Sequence, residues 1–278
     1  MPRRARGLNP ARSTRSLIVV VALFMTAFPF LWLLQMSFKT QLDALAFPPK
    51  LIFTPTLQNY IDLLAGGFVN SFMDSFTVAL GTTVLALALG APAGYALSRL
   101  EGSRGANGLG FWILSVRMAP PIAFALPLFV LYRVVGLMDT RQGLILVDLT
   151  FSLPLVAWLS RTFFDMVPQV LEEAAFVDGC GNFQAFRLVV LPLAAPGLAS
   201  TAVLSFLFAW NDFFYALVLT RREVMTMPVA IVNFMNFQGW EWGKITAGAS
   251  LIMLPVIVLA LLTHRYIVSG LSAGALKE

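Results

Sequence analysis

Six apolar stretches dominate the chain, near residues 16–36, 68–98, 109–135, 143–163, 193–220 and 246–268, and the segments between them carry most of the polar patterning. Each reaches the ~20 residues that a helix needs to cross the hydrocarbon core of a bilayer. In lipid, an open strand or irregular segment leaves backbone N–H and C=O groups unsatisfied, so continuity at this length predicts helices. The pattern predicts an all-α, polytopic membrane protein with six transmembrane helices and little chain left for a separate soluble domain. Within the third stretch, Ala119-Pro120-Pro121 and Pro127 should kink or break the helix. Proline lacks an amide and biases the residue before it toward extended backbone.

Composition agrees. Of 278 residues, 58% are hydrophobic and 12% charged, with a mean hydropathy of +0.80, beyond what a soluble domain carries. The net charge is +5, but the basic residues cluster beside apolar runs, where they act as topology signals. No nucleic-acid partner is expected. Arg3, Arg4, Arg6, Arg12 and Arg15 precede the first run like the n-region of a signal peptide. The run is about 20 residues long and no small-x-small cleavage pattern follows, so it reads as a retained anchor. These arginines predict a cytoplasmic N-terminus, and an even number of spans returns the C-terminus to the same side. Residues 1–15 then form a cytoplasmic N-terminal segment and 16–278 a single transmembrane domain with a cytoplasmic loop at 164–192. Arg99, Arg104, Arg161, Arg187, Arg265 and Lys277 fall inside with this topology, whereas Lys39, Lys50, Arg141, Arg221, Arg222 and Lys244 fall outside.

Several kinds of chemistry are excluded early. Cys180 is the single cysteine, so there is no internal disulfide and no multi-cysteine metal site. The single histidine, His264, stands with Arg265 at the close of the last helix, where cations complement the helix C-terminus. No G-x-x-x-x-G-K-[ST] occurs, so the chain has no P-loop of its own. It also lacks a nucleophile elbow, a metal-spaced His/Asp/Glu cluster and a carboxylate pair with a general-acid partner. It is not expected to be an enzyme by itself, nor to hold a cofactor or metal.

The most patterned polar segment is LEEAAFVDGCGNFQAFRLVVLPLAAPG, residues 171–197, between the fourth and fifth apolar stretches. Pro168 suits the first turn of a helix, where its missing N–H costs nothing. Val170, Leu171, Ala174 and Val177 or Asp178 then recur at helical spacing, with Gln169, Glu172 and Glu173 turned elsewhere. Gly179 is placed to end this helix in a left-handed cap. Ala174 and Ala175 keep the helix thin, so another surface can come close to its backbone.

This segment resembles the EAA loop of ABC-transporter permeases: Glu173, Ala174 and Ala175, then Gly179, then Val189, Leu191 and Pro192. Val189 stands where that family usually has Ile, and Cys180 where a small residue such as Ala is common. MAPPIAFALPLFVLYRVVGLMDT, LPLVAWLSRTFF, FAWNDFFYALVLT and the ending GLSAGALKE are similar to the carbohydrate-uptake branch, the maltose-type smaller permease subunit, and LSVRMAPPIA to polyol and sugar permeases. The resemblance covers roughly residues 17–278. It implies a coupling helix that docks on an ATPase subunit, with Glu172, Glu173, Ala174, Ala175, Asp178 and Gly179 as the ATPase-coupling residues. It also implies an ATPase contact near Gly270, Ser272, Gly274 and Lys277, and a contact between the loop from Arg221 to Lys244 and an extracytoplasmic solute-binding protein. The implied partners are a second homologous permease, two ATPase subunits that bind ATP and magnesium, and a carbohydrate or polyol solute. The implied location is the inner membrane of a prokaryote.

Within the spans a few polar residues ask for an account. A charge at mid-span costs roughly 2.5–3.5 kcal/mol on insertion scales, so Arg117 should face protein or water. It is expected either to pair with Asp148 or Asp74 or to form part of a polar wall of the translocation path. Asn211 and Asp212 in WNDFF, and Asn70 and Asp74 at the start of the second stretch, either contact a hydroxylated solute or mark helix ends. Three other readings are open. A secondary transporter would use Arg117, Asp74 and Asp148 as its coupling groups. A membrane enzyme would need motifs that are absent. A permease for a glycerol-phosphate-like anion would use Arg117 as counter-charge.

Overall fold

The computed structural model describes residues 10–100, 104–236 and 239–275. Five helices are long and apolar enough to cross a membrane: Arg15–Ser37, Phe68–Arg99, Arg141–Asp165, Asn182–Trp210 and Trp242–Thr263. A bent pair, Gly108–Met118 with Pro121–Val134, makes a sixth span when taken as one. Among the described residues, strand is confined to Met235–Asn236 against Gly239–Trp240. The fold is that of an all-α membrane protein, as the hydropathy pattern predicts.

The third span breaks at its double proline. Helix tightens into a 3-10 turn at Val116–Met118, then Ala119 and Pro120 are extended, with ψ of 130° and 129°. Each precedes a proline, which disfavours helical backbone there, and the second half departs at 85°. Pro127 sits inside Pro121–Val134 without ending it. The fifth span is shorter than its apolar run, ending at Trp210 rather than near residue 220. Asn211 and Asp212 spend their side chains on local backbone, which competes with helix continuation. Asn211 Nδ2 donates to the Leu207 carbonyl at 2.7 Å. The Asp212 carboxylate accepts from the N–H groups of Tyr215 and Ala216 at 3.4 and 3.0 Å, starting a separate helix, Phe214–Leu219.

The chain divides into two compact units, Met1–Gly66 with Asn233–Leu251, and Gly67–Val232 with Ile252–Glu278. In the first unit Lys39 is buried, its Nζ 5.4 and 5.0 Å from the ring centroids of Trp32 and Phe53, and it donates to the Lys50 carbonyl at 2.7 Å. The two rings and the carbonyl replace the water that the ammonium gives up. Asn59 Nδ2 donates to the carbonyls of Ser37 and Lys39, and Lys244 pairs with Glu241 at 2.6 Å and Asp62 at 3.5 Å.

In the second unit, helices Phe68–Arg99 and Arg141–Asp165 run side by side along a seam of small residues. A Cβ at Gly94 would stand 2.6 Å from the Ala157 carbonyl oxygen and 2.9 Å from the Arg161 nitrogen, so glycine is required for this approach. Val78, Leu144, Val147, Tyr215 and Leu219 fill the core near the N-terminal ends of the pair. Phe164, Val167, Val190 and Ala194 fill it near the C-terminal ends.

A loop in this unit is tied down by one carboxylate. Asp139, at φ 57°, accepts four backbone N–H groups, from Arg221, Arg222, Glu223 and Val224, at 2.9, 2.9, 3.0 and 3.2 Å. Burial pushes its carboxyl pKa up, but the four donors outweigh that and hold it below the ordinary value.

Candidate functional site

The loop between the fourth and fifth spans folds into a short helix, Gln169–Val177, with Pro168 one residue earlier than its expected place, at the N-cap. Its end is built as the sequence predicts. Gly179 has φ +87°, the Cys180 N–H donates to the Ala175 carbonyl at 2.9 Å, and the Gly179 N–H donates to the Phe176 carbonyl at 3.0 Å. This is a Schellman cap, which turns the chain sharply and satisfies two terminal carbonyls. Gly181 and Gln184 then open the next helical segment, the Gln184 side chain accepting from the Gly181 N–H at 2.9 Å. A π turn at Phe186–Val190 leads into the fifth span.

The orientation of this helix corrects one expectation. Glu172 is not turned outward beside Glu173; it is 4% exposed and faces the spans. The guanidinium of Arg99, at the end of the second span, grips its carboxylate through Nε at 2.7 Å and through Nη2. The Tyr95 hydroxyl donates to the other carboxylate oxygen at 2.7 Å. Arg99 also donates to Ser98 Oγ at 2.9 Å and to the carbonyls of Phe164 and Val167 at 3.3 and 3.5 Å. Beneath lies an aromatic triad, Tyr95, Phe164 and Phe186, with centroids 4.7 to 5.9 Å apart. Ala175 also faces inward, buried, whereas Ala174 and Glu173 face outward.

The apolar stripe therefore points away from the body of the chain. Val170 is 69% exposed, Leu171 42% and Val177 87%. The helix is thus pinned on its Glu172 side and bare, among the described residues, on its valine-leucine side. Asp178 is the C-cap residue and exposed, and among the described residues its side chain makes no hydrogen bond.

The polar residues of the spans separate into two groups. Asp74 is buried in an ion pair with Arg141 at 2.7 Å and also accepts the Met225 N–H at 3.0 Å. It fastens helix starts and a loop, and it does not pair with Arg117. Asn70 is exposed at the start of the second span. Arg117 lies at the break of the third span, its guanidinium 4.8 Å from the Phe208 ring centroid. It makes no ion pair among the described residues, so the expected pairing with Asp148 is absent too. Instead, Arg117, Asp148 and Asp212 line one cavity of about 230 Å³, with Ser152, Phe151, Phe208 and Tyr215 in its wall. Asp148 went unmarked as a path residue because a lone aspartate in an apolar run gives no sign of which way it faces. Asn211 caps the fifth span as already described, outside this cavity's lining. Gly270, Ser272 and Gly274 fall on the backbone of the last helix, Trp242–Ala275, while Lys277, Arg3, Arg4 and Arg6 lie outside the described residues. Among the described residues no group of three or more His, Cys, Asp or Glu is arranged to hold a metal.

With this geometry in view, the relatives of the chain are informative. It is 43% identical to the trehalose transport system permease protein SugB of Mycobacterium tuberculosis, over 90% of this chain and 92% of that one. It is 34% identical to the trehalose/maltose transport system permease protein MalG of Thermococcus litoralis, over 95% and 97%. Its fold matches a solved bacterial ABC transporter involved in import of the acidic polysaccharide alginate, with a TM-score of 0.75 at 23% identity, over 96% and 99% of the two chains. Residues 86–272, which include both the docked loop helix and the polar cavity, match the family described as binding-protein-dependent transport system inner membrane component. The broken third span, the pinned loop helix and these matches agree, and the chain belongs to that family.

Proposed function

We propose that the chain is the translocating subunit of an ATP-driven, binding-protein-dependent importer for a neutral sugar, oligosaccharide or polyol. The observation that carries the coupling half of this reading is the loop helix Gln169–Val177, pinned inward through Glu172 and bare on its apolar face. A helix of nine residues has no stability of its own in water, so its fixed seat on the ends of two spans makes it a rigid lever. An ATPase subunit that seats Val170, Leu171, Ala174 and Val177 and meets Glu173 at the rim would move this lever on closing over ATP and magnesium. Arg99 and the Tyr95–Phe164–Phe186 cluster would carry the displacement into the second, fourth and fifth spans.

The topology that follows puts this loop and both termini on the cytoplasmic side. It puts residues 37–67 and the loop from Arg221 to Lys244 outside, where a solute-binding protein docks. A second, homologous permease completes the path. The solute class rests on the trehalose and maltose named for the two relatives. The anionic alternative is the weaker one, because an anion drawn to Arg117 would meet two carboxylates in the same cavity.

Co-purification tests the reading. Tagged wild-type chain should bring down an ATPase and support sugar-stimulated ATP hydrolysis, and the Glu173→Lys, Gly179→Asp double variant should lose one or both. Retention of full ATP-driven uptake by the double variant would show that energy does not enter through this loop.

A further inference from the structure

We infer that the cavity lined by Arg117, Asp148 and Asp212 is a sugar-contact site within this subunit, taking one neutral, polyhydroxylated ring. The inference rests on the importer reading above and gives its solute a place in this chain.

Asp148 is the first reason. It is 6% exposed, lies within the fourth span, lines the cavity, and makes no hydrogen bond or ion pair to the described residues. A buried carboxylate without a partner is among the most costly groups a membrane protein can keep, and such groups persist where they serve a pathway or ligand. Its neighbour Asp212 already spends oxygens on the N–H groups of Tyr215 and Ala216. Asp148 has its full acceptor capacity left.

Arg117 supplies the complementary half. Its guanidinium stacks on Phe208 and makes no hydrogen bond among the described residues, so a fixed fork of donors meets the same space as the free carboxylate. Hydroxyl groups are the ligand chemistry that uses both at once, donating to the aspartate while accepting from the arginine. Phe151, Phe208 and Tyr215 add apolar surface to the same wall, against which the C–H groups of a ring can pack. An anion would meet two carboxylates and a cation would meet the guanidinium, so a neutral solute fits best. At about 230 Å³ the cavity falls below the ~300–1,000 Å³ of sites for drug-sized ligands, which suits one ring rather than a disaccharide. The break at Ala119-Pro120-Pro121 borders the same space, and non-helical backbone at membrane depth is tolerated where it lines a cavity.

The test uses the intact importer, co-purified through this chain and reconstituted into proteoliposomes with its binding protein. The neutral probes are trehalose, maltose and mannitol, and the anionic probe is glycerol 3-phosphate. Wild type carrying none of the neutral probes would overturn the importer reading and this inference with it. With a neutral probe carried, Asp148→Asn should lower the sugar moved per ATP hydrolysed by about ten-fold, the worth of one charge-assisted hydrogen bond. A second measurement does not depend on that variant assembling. In a Cys180→Ala parent, Ser152→Cys places a lone thiol in the cavity wall, and the carried sugar should slow its modification by a small methanethiosulfonate several-fold. If wild type moves sugar but Asp148→Asn keeps its coupling ratio and the sugar leaves thiol labelling unchanged, the cavity is not a sugar site and the importer reading stands alone.

Discussion

Loss of the Arg99–Glu172 contact should free the loop helix without unfolding the spans. In Glu172→Ala three hydrogen bonds disappear, two from the Arg99 guanidinium and one from the Tyr95 hydroxyl. The guanidinium side chain, only 18% exposed, is left with Ser98 and two carbonyls at 3.3 and 3.5 Å. Removing one partner of a buried pair costs about 3–5 kcal/mol, mostly from the charge left behind. Otherwise the nine-residue helix is held through the buried Ala175 and its Schellman cap. Hydrogen–deuterium exchange of residues 169–180 should therefore accelerate by about 10² to several times 10³-fold, since each 1.4 kcal/mol is a factor of ten. Amides in the middle of the second and fourth spans should keep their protection. Glu172→Gln keeps the shape but not the charge and should fall between, at about 1.5–3 kcal/mol for the weakened charge-assisted bonds. A double-mutant cycle with Arg99→Met should return most of the effect as coupling between the two positions. If Glu172→Ala leaves exchange in 169–180 at the wild-type rate, the contact does not hold the helix. The lever proposed for ATP coupling would then need another anchor.

Three further outcomes follow from the structure. Gly179→Ala meets no atom within 4 Å, so its cost is the φ of +87° alone, about 1 kcal/mol; ATPase stimulation by solute should weaken while complex assembly, read by co-purification, persists. Asp139 has a depressed folded pKa, so its contribution is fully present above the unfolded value of about 3.9 and is lost as pH falls through the folded value. Asp139→Ala at neutral pH should mimic acid, with tryptic cleavage after the exposed Arg221 and Arg222 rising about ten-fold for the 1–2 kcal/mol of hydrogen bonding removed; unchanged cleavage would mean the loop is held by something else. Gly94→Val drives a side chain into the Ala157 carbonyl at 2.6 Å and should cost about 1–3 kcal/mol by overpacking, read as a lower thermal midpoint of the purified chain.

Length and continuity of apolar runs determined the helical membrane fold, because lipid offers the backbone no other partner. Prolines determined the break in the third span, and the left-handed Gly179 cap was legible because few residues other than glycine tolerate that backbone. Each of these is a local property of the chain. Which of two adjacent glutamates turned inward was not local: one residue rotates a helix by about 100°, and the choice fell to Glu172 because Arg99, 73 positions away, stood ready to pair with it. Asp74 likewise found Arg141, 67 positions on, leaving Arg117 to stack on Phe208 and share a cavity with Asp148 and Asp212. Asp139, with a non-glycine left-handed backbone and four loop amides on its carboxylate, carried no sequence signal at all. Partner choice among buried charges is a matter of three-dimensional distance at low dielectric, and only the packed spans set those distances.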